Sequence, residues 1–222
     1  MKVTTDSCFF GAWIAEAIRN SELKVGSILD IGTGTGLLSL MVAQKNAIRI
    51  DAVEIDIDAA TQAKENINGS PWSKSIQVFN EDVLMFWPNK KYDCIICNPP
   101  FYENELTSGH AKKNIAHHSS QLTISQALNI TKNNLNAGGL FFLMYPFKRE
   151  QEIDQLLLEN KLYIVKSVSL KQSLRHPPFR TMIMGTTTQT DPESRLTVAV
   201  WNEGQQYTDQ FRNFLKDYYL YL

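Results

Sequence analysis

Ser27-Ile28-Leu29-Asp30-Ile31-Gly32-Thr33-Gly34-Thr35-Gly36 decides how this chain is read. A short apolar run enters three glycines at alternate positions, and Leu37 to Gln44 continues at helical spacing. Strand, tight glycine turn and helix form the opening unit of an open α/β sheet with a ligand at its carboxyl edge. Glycine permits φ > 0 and lets the backbone approach a ligand closely.

The same alternation continues outward. Arg49 to Ile55 reads as a second strand, ending in Glu54-Ile55-Asp56, with a helix over about 58–68. Ile76 to Phe79 reads as a third strand, followed by the loop Asn80-Glu81-Asp82-Val83. Tyr92 to Cys97 is the fourth, an isoleucine-rich run of the kind buried in parallel sheets. Residues 102–121 are polar, include Gly109, His117 and His118, and predict a long loop over the strand ends. Leu122 to Leu135 predicts a helix, with Ala137-Gly138-Gly139 at its C-cap. Leu140 to Tyr145 is a fifth strand and Glu150 to Glu159 a helix. Leu162 to Leu170, Thr181 to Thr187 and Leu196 to Trp201 then follow without an intervening helix, so antiparallel pairing is expected. Upstream, residues 6–20 predict a helix capped by Asp6 or Ser7, and Thr208 to Tyr219 closes the chain with an amphipathic helix. With no repeat or linker, residues 1–222 read as a single domain of α/β class, Rossmann-like, its mostly parallel sheet covered by helices on both faces.

Composition narrows the setting. At 43% hydrophobic and 20% charged residues, the chain has the make-up of a globular protein that can bury a core. No apolar run approaches membrane-spanning length and Met1 to Asp6 is too polar for a signal peptide, so a cytoplasmic protein without a membrane partner is expected. Cys8, Cys94 and Cys97 are too few for a disulfide framework, and positions three apart on a strand face opposite sides. No metal is expected. Net charge is −1, yet Lys161 to Arg180 carries Lys161, Lys166, Lys171, Arg175 and Arg180 with no acid. Such a local patch can bind phosphates on a neutral protein.

The acids at the strand ends suggest the ligand. A dinucleotide fingerprint is GxGxxG, with pyrophosphate on the helix N-terminus; here the spacing is GxGxG with Asp30 directly before it. An anion there repels pyrophosphate and attracts a sulfonium or an ammonium, which favours S-adenosylmethionine, with S-adenosylhomocysteine as product. Glu54, 18 residues beyond Gly36, suits the ribose hydroxyls, and Asp82 suits the adenine amino group. Gly32, Thr33, Gly34, Gly36, Ile55, Val83 and Asn98 complete the expected cofactor contacts on this edge.

Asn98-Pro99-Pro100-Phe101 follows the fourth strand. Two prolines end the ladder, and the residue before a proline is pushed into extended backbone. A stiff turn then offers two acceptors, the Asn98 amide oxygen and the Pro99 carbonyl, to a planar NH2 group, with Phe101 as a stacking face. Asn98, Pro99, Pro100 and Phe101 are the expected catalytic group.

Asp30 to Gly36 together with Asn98 to Phe101 resembles the class I S-adenosylmethionine-dependent methyltransferases that act on planar amino groups. Met1-Lys2-Val3-Thr4-Thr5-Asp6-Ser7 with Gly11-Ala12-Trp13, and the closing Tyr207-Thr208 with Phe214 to Leu220, is similar to the bacterial tRNA1(Val) (adenine-37-N6)-methyltransferase family. The resemblance spans essentially the whole chain. It implies a seven-stranded sheet with antiparallel C-terminal edge strands and N6 methylation of the adenine beside the anticodon. Lys2, Thr4 and Asp6 would lie close to cofactor and base. In that family a short segment normally precedes Met1, so a truncated start or a shorter cover over the site is expected. The expected partner is a tRNA anticodon stem-loop meeting a monomer, its phosphates on the basic segment and on Lys112, Lys113, Lys148 and Arg149. Competing readings are a guanine-N2 rRNA methyltransferase, a protein glutamine-N5 methyltransferase and a non-catalytic S-adenosylmethionine-binding module.

Overall fold

A computed structural model describes residues 3–99, 122–191 and 194–221. Its helices are α1 (Thr5–Arg19), α2 (Leu37–Lys45), α3 (Ile57–Asn68), α4 (Ile124–Asn134), α5 (Glu150–Asn160) and α6 (Asp209–Leu215). The strands are β1 (Ser27–Ile31), β2 (Arg49–Glu54), β3 (Ile76–Asn80), β4 (Tyr92–Cys97), β5 (Leu135–Pro146), β6 (Tyr163–Ser173), β7 (Pro178–Thr186) and β8 (Ser194–Trp201). They form one sheet in the order β3-β2-β1-β4-β5-β7-β6-β8.

The resemblance implied seven strands, and the described residues form a sheet of eight. Strands β1 to β5 pair parallel, and β7 runs antiparallel between β5 and β6. The expectation that all three last strands pair antiparallel is corrected at β8, which lies parallel to β6 from Lys166↔Ser194 to Ser173↔Trp201. The reason is topological. After β7 the chain reverses but skips its neighbour, so β8 lands on the far side of β6, pointing the same way.

The glycines at 138 and 139 lie inside β5 rather than at a helix end. Helix α4 stops at Asn134, and a bulge separates the pairs Tyr92↔Leu135 and Cys94↔Leu140. Gly138 takes φ +72, and a Cβ on Gly139 would sit 2.9 Å from the Asp93 carbonyl oxygen. Helix α4 opens with a capping box: the Thr123 hydroxyl accepts from Gln126 N–H, and the Gln126 side chain accepts from Thr123 N–H.

Strand alternation divides the core in two. Ile28, Cys94, Ile96 and Phe142 face α1, α2 and α6, while Leu29, Ile31, Ile95, Cys97 and Phe141 face α4 and α5. Cys94 and Cys97 therefore lie on opposite faces, as their spacing predicts. Phe9 of α1 stacks on Phe211 of α6 at 5.6 Å and meets Phe214 edge-on at 5.0 Å. Phe9, Phe10 and Ile14 are fully buried, each contributing on the order of 2 kcal/mol. That burial seats α1 against the sheet.

Candidate active site

Register aligns the carboxyl ends of the central strands. Ile31 pairs with Val53 and with Cys97, so Gly32, Glu54 and Asn98 leave three neighbouring strands at one level. Gly32 N–H and Thr33 N–H both donate to the Val53 carbonyl, at 2.9 and 3.1 Å, which folds the turn back over β2. Gly32, Gly34 and Gly36 adopt φ of +67, +59 and +82. A side chain is strained at each of these positions. A Cβ on Gly32 would meet no atom of the described residues within 4 Å, so among them the turn presents bare backbone.

Asp30 stands beneath this turn on the α1–α2 side of the sheet, fully buried. Its Oδ2 accepts from the Thr33 hydroxyl at 2.6 Å and the Ser39 hydroxyl at 2.7 Å, while the buried Oδ1 has no hydrogen-bond partner. Burial pushes its pKa up to about 6, against the lowering by the two hydroxyls. The sequence set this acid directly before the turn; the structure buries it there.

Glu54 is also buried and holds the turn from the side. Gly34 N–H donates to its Oε2 at 2.8 Å and Asp56 N–H to its Oε1 at 2.9 Å. Each oxygen keeps a second lone pair for another donor. Asn80, which the sequence reading gave only as the start of a loop, donates its amide to the carbonyls of Glu54 and Ile55 and so fixes the end of β2. Ile55 is 48% exposed, an apolar side chain on the rim. Asp82 lies in the loop after β3, where its Oδ1 accepts from Leu84 N–H at 2.9 Å; Val83 packs partly buried on the α4–α5 face of the core.

Asn98 leaves β4 on the Asp30 side of the sheet by alternation with Ile96. Its Nδ2 donates to the Ser7 hydroxyl of α1 at 3.1 Å, and its Oδ1 is buried without a partner among the described residues. Pro99 is buried. Pro100, Phe101, Lys112, Lys113, His117, His118 and Lys2 lie outside the described residues.

The first turn of α1 crosses this edge. Its N-cap position is Thr4, not Asp6 or Ser7, and no side chain caps it. The Thr4 and Ser7 hydroxyls are 2.9 Å apart, and Arg180 Nε donates to Asp6 Oδ2 at 2.8 Å. Asp6 and Arg180 are largely buried, with side chains 11% and 24% exposed. Arg180 was expected on RNA phosphates; it is committed to Asp6 because β7 begins beside the first turn of α1. Likewise Arg175 pairs with Glu203 at 2.9 Å, so the acid-free segment finds its acids on distant elements. Arg149, also expected at the RNA rim, bonds the Glu152 carboxylate through Nε and Nη2.

Removing one partner of a buried pair strands the other charge. Arg180→Ala is therefore expected to destabilise the fold by about 2 kcal/mol, less than a fully buried pair would lose, lowering Tm by several degrees. Thermal melts of Arg180→Ala and of the uncharged pair Asp6→Asn plus Arg180→Met check this; the double variant should recover part of the loss.

Among the described residues no group of three or more His, Cys, Asp or Glu is placed to hold a metal ion, and no helix is long and apolar enough to cross a membrane.

Comparison with known proteins places this edge in a family. The methyltransferase small domain model matches residues 12–165. A tRNA1(Val) (adenine(37)-N6)-methyltransferase of Parabacteroides distasonis is 34% identical over 99% of this chain and 91% of its own length. That of Pectobacterium carotovorum is 33% identical over 100% and 88%, and that of Dyadobacter fermentans 46% over 66% and 59%. In fold, the chain is similar to the crystal structure of a predicted O-methyltransferase from Agrobacterium tumefaciens, with a TM-score of 0.72 at 12% identity over 95% of each chain. Magnesium protoporphyrin IX methyltransferase from Synechocystis superposes with a TM-score of 0.59 at 16% identity, over 83% of this chain and 80% of that one. The chain belongs to the methyltransferase small domain family and, within it, to the family of the tRNA1(Val) (adenine(37)-N6)-methyltransferases.

Proposed function

We propose that this protein transfers a methyl group from S-adenosylmethionine to the exocyclic N6 of adenine 37 in the anticodon loop of tRNA1(Val), with residues 1–222 acting as one domain. The observation that carries the reading is Asn98 Oδ1, a buried acceptor without a partner one strand away from the glycine turn. Leaving an acceptor buried and unpaired costs about 1–3 kcal/mol. A donor N–H arriving with the substrate recovers that loss at the place where chemistry is needed.

The fit to S-adenosylmethionine rests on the turn. Gly32 leaves room for a ligand against its backbone, and Asp30, two residues earlier, keeps a buried Oδ1 without a partner among the described residues. A carboxylate in low dielectric favours a cation nearby and disfavours pyrophosphate. Glu54, with lone pairs remaining on both oxygens, would take the ribose hydroxyls, while Ile55 and Val83 would flank the adenine and Asp82 would accept from its amino group. Gly34, Gly36 and Thr33 hold the turn; Lys2, Thr4 and Asp6 would close the site from the start of the chain. When bound, the cofactor supplies an electrophilic methyl on positively charged sulfur.

The residues at 98–101 act on the acceptor. An adenine N6 lone pair is delocalised into the ring and attacks poorly. Asn98 Oδ1 and the Pro99 carbonyl, each accepting one N–H, hold the NH2 group so that its lone pair turns out of the ring plane. Positive charge then develops on nitrogen beside two fixed oxygens, the cationic counterpart of an oxyanion hole. Phe101 would stack on the base, and alignment adds the proximity contribution. No base is needed beforehand, because the product ammonium is strongly acidic and releases its proton to water.

The names of the relatives support adenine over guanine N2 or a glutamine amide. They also support an anticodon loop, where an unpaired base can be splayed into a pocket at the strand ends. The test is mass spectrometry of nucleosides and RNase fragments from tRNA incubated with the protein and methyl-labelled donor. Labelled N6-methyladenosine in the anticodon-loop fragment is expected. N2-methylguanosine, or label absent from the RNA, would overturn the reading.

A further inference from the structure

We propose that Ser7 is a positioning residue of the methyl-transfer site: it anchors the Asn98 side chain through its NH2 group, so that Oδ1 faces the acceptor amine. The proposal rests on the amine-clamp reading above. An asparagine amide has one acceptor and two donors on a torsion with broad minima. Turned by 180°, the same side chain would show N–H groups to an NH2 group, and donor would face donor. Something must fix the sense of the amide.

The geometry points to Ser7. Its hydroxyl receives Asn98 Nδ2–H at 3.1 Å and stands 2.9 Å from the Thr4 hydroxyl. One hydroxyl hydrogen and two lone pairs suffice for both contacts. The bland alternative, that Ser7 caps its helix, does not hold. Thr4 occupies the N-cap position, Ser7 is inside the first turn, and both contacts of its hydroxyl are to side chains. The helix backbone does not use it.

What holds Ser7 in place is independent of Asn98. Asp6 next to it is tied to β7 by Arg180, and Ser7 N–H donates to Asp6 Oδ1 at 3.1 Å. Phe9 and Phe10, one turn on, are fully buried. The anchor is therefore a rigid turn reaching a residue 91 positions away in the chain.

Two readouts test it. The Asn98 side-chain NH2 resonances of the 15N-labelled protein, assigned by their disappearance in Asn98→Ala, should shift and exchange several-fold faster with water in Ser7→Ala. They should stay near their native positions in Ser7→Thr, which keeps the hydroxyl. Unchanged resonances in Ser7→Ala overturn the anchor whatever the acceptor is. Single-turnover methyl transfer to tRNA should slow about tenfold in Ser7→Ala and recover in Ser7→Thr, with S-adenosylmethionine affinity unmoved. In an Asn98→Ala background, Ser7→Ala should cost nothing further; an additive loss would show that Ser7 acts elsewhere and overturn the proposal. A native protein that leaves adenine unmethylated defeats the functional reading alone, since the amide resonances report the anchor without any acceptor.

Discussion

Asn98→Ala is expected to slow methyl transfer by about a hundredfold or more while S-adenosylmethionine binds nearly as before. The side chain leaves β4 at the end of the strand, on the same face as Asp30, and its amide oxygen has no partner among the described residues. Removing it takes away an interaction formed fully only as charge develops on the acceptor nitrogen, so the loss falls on kcat and kcat/KM together. The glycine turn is held by Val53 and Glu54 of β2, which β1 separates from β4, so the cofactor pocket should persist. Single-turnover rates with labelled donor and calorimetric titration of the cofactor measure the two effects separately. A variant as fast as the native protein would remove the amine clamp. A variant that loses cofactor affinity tenfold would instead place Asn98 in the cofactor pocket.

The parts legible in the sequence are those fixed by local pattern. The strand–glycine–helix unit, the acids at the ends of β1 and β2, and the strand-ending Asn98-Pro99 each follow from one short continuous stretch of sequence. Even the count of eight strands was present as eight apolar runs, although the resemblance implied seven. Topology was less accessible. Nothing local distinguishes a third antiparallel strand from one that skips its neighbour and runs parallel, as β8 does beside β6. Side-chain partners far apart in sequence were invisible for the same reason. Ser7 reads as a helix cap until the fold brings it to Asn98, and Arg180 reads as a free phosphate ligand until β7 brings it to Asp6, 174 positions away. The acid-free stretch from Lys161 to Arg180 is less basic in space than in sequence, because Glu203 and Asp6 answer two of its five lysines and arginines.

Asp30→Asn should separate stability from cofactor binding, with opposite signs. The acid has an ordinary pKa of 3.8 and is raised to about 6 by burial. Below pH 4 both native and unfolded chains hold the proton, and the group is neutral to stability. Between these two values the unfolded chain has released a proton that the native one retains, so stability falls as pH rises, by about 3 kcal/mol once pH exceeds the native value. Asparagine keeps an oxygen for the Thr33 and Ser39 hydroxyls and carries no charge. The stability difference between variant and native protein should therefore move in the variant's favour by about 3 kcal/mol from pH 4 to pH 7.5, in protein without cofactor. Comparing the two pH values cancels any fixed cost of an unpaired amide N–H where Oδ1 now stands. Cofactor affinity should move the other way. A positively charged ligand at the turn favours the ionised acid, so affinity in the native protein should weaken as pH drops through about 6, and at pH 7.5 the variant should bind about tenfold more weakly. Denaturant titrations and calorimetry at the two pH values measure both. An affinity that is flat from pH 5 to 7.5 in the native protein would mean that the charge beneath the glycine turn has no part in holding the methyl donor.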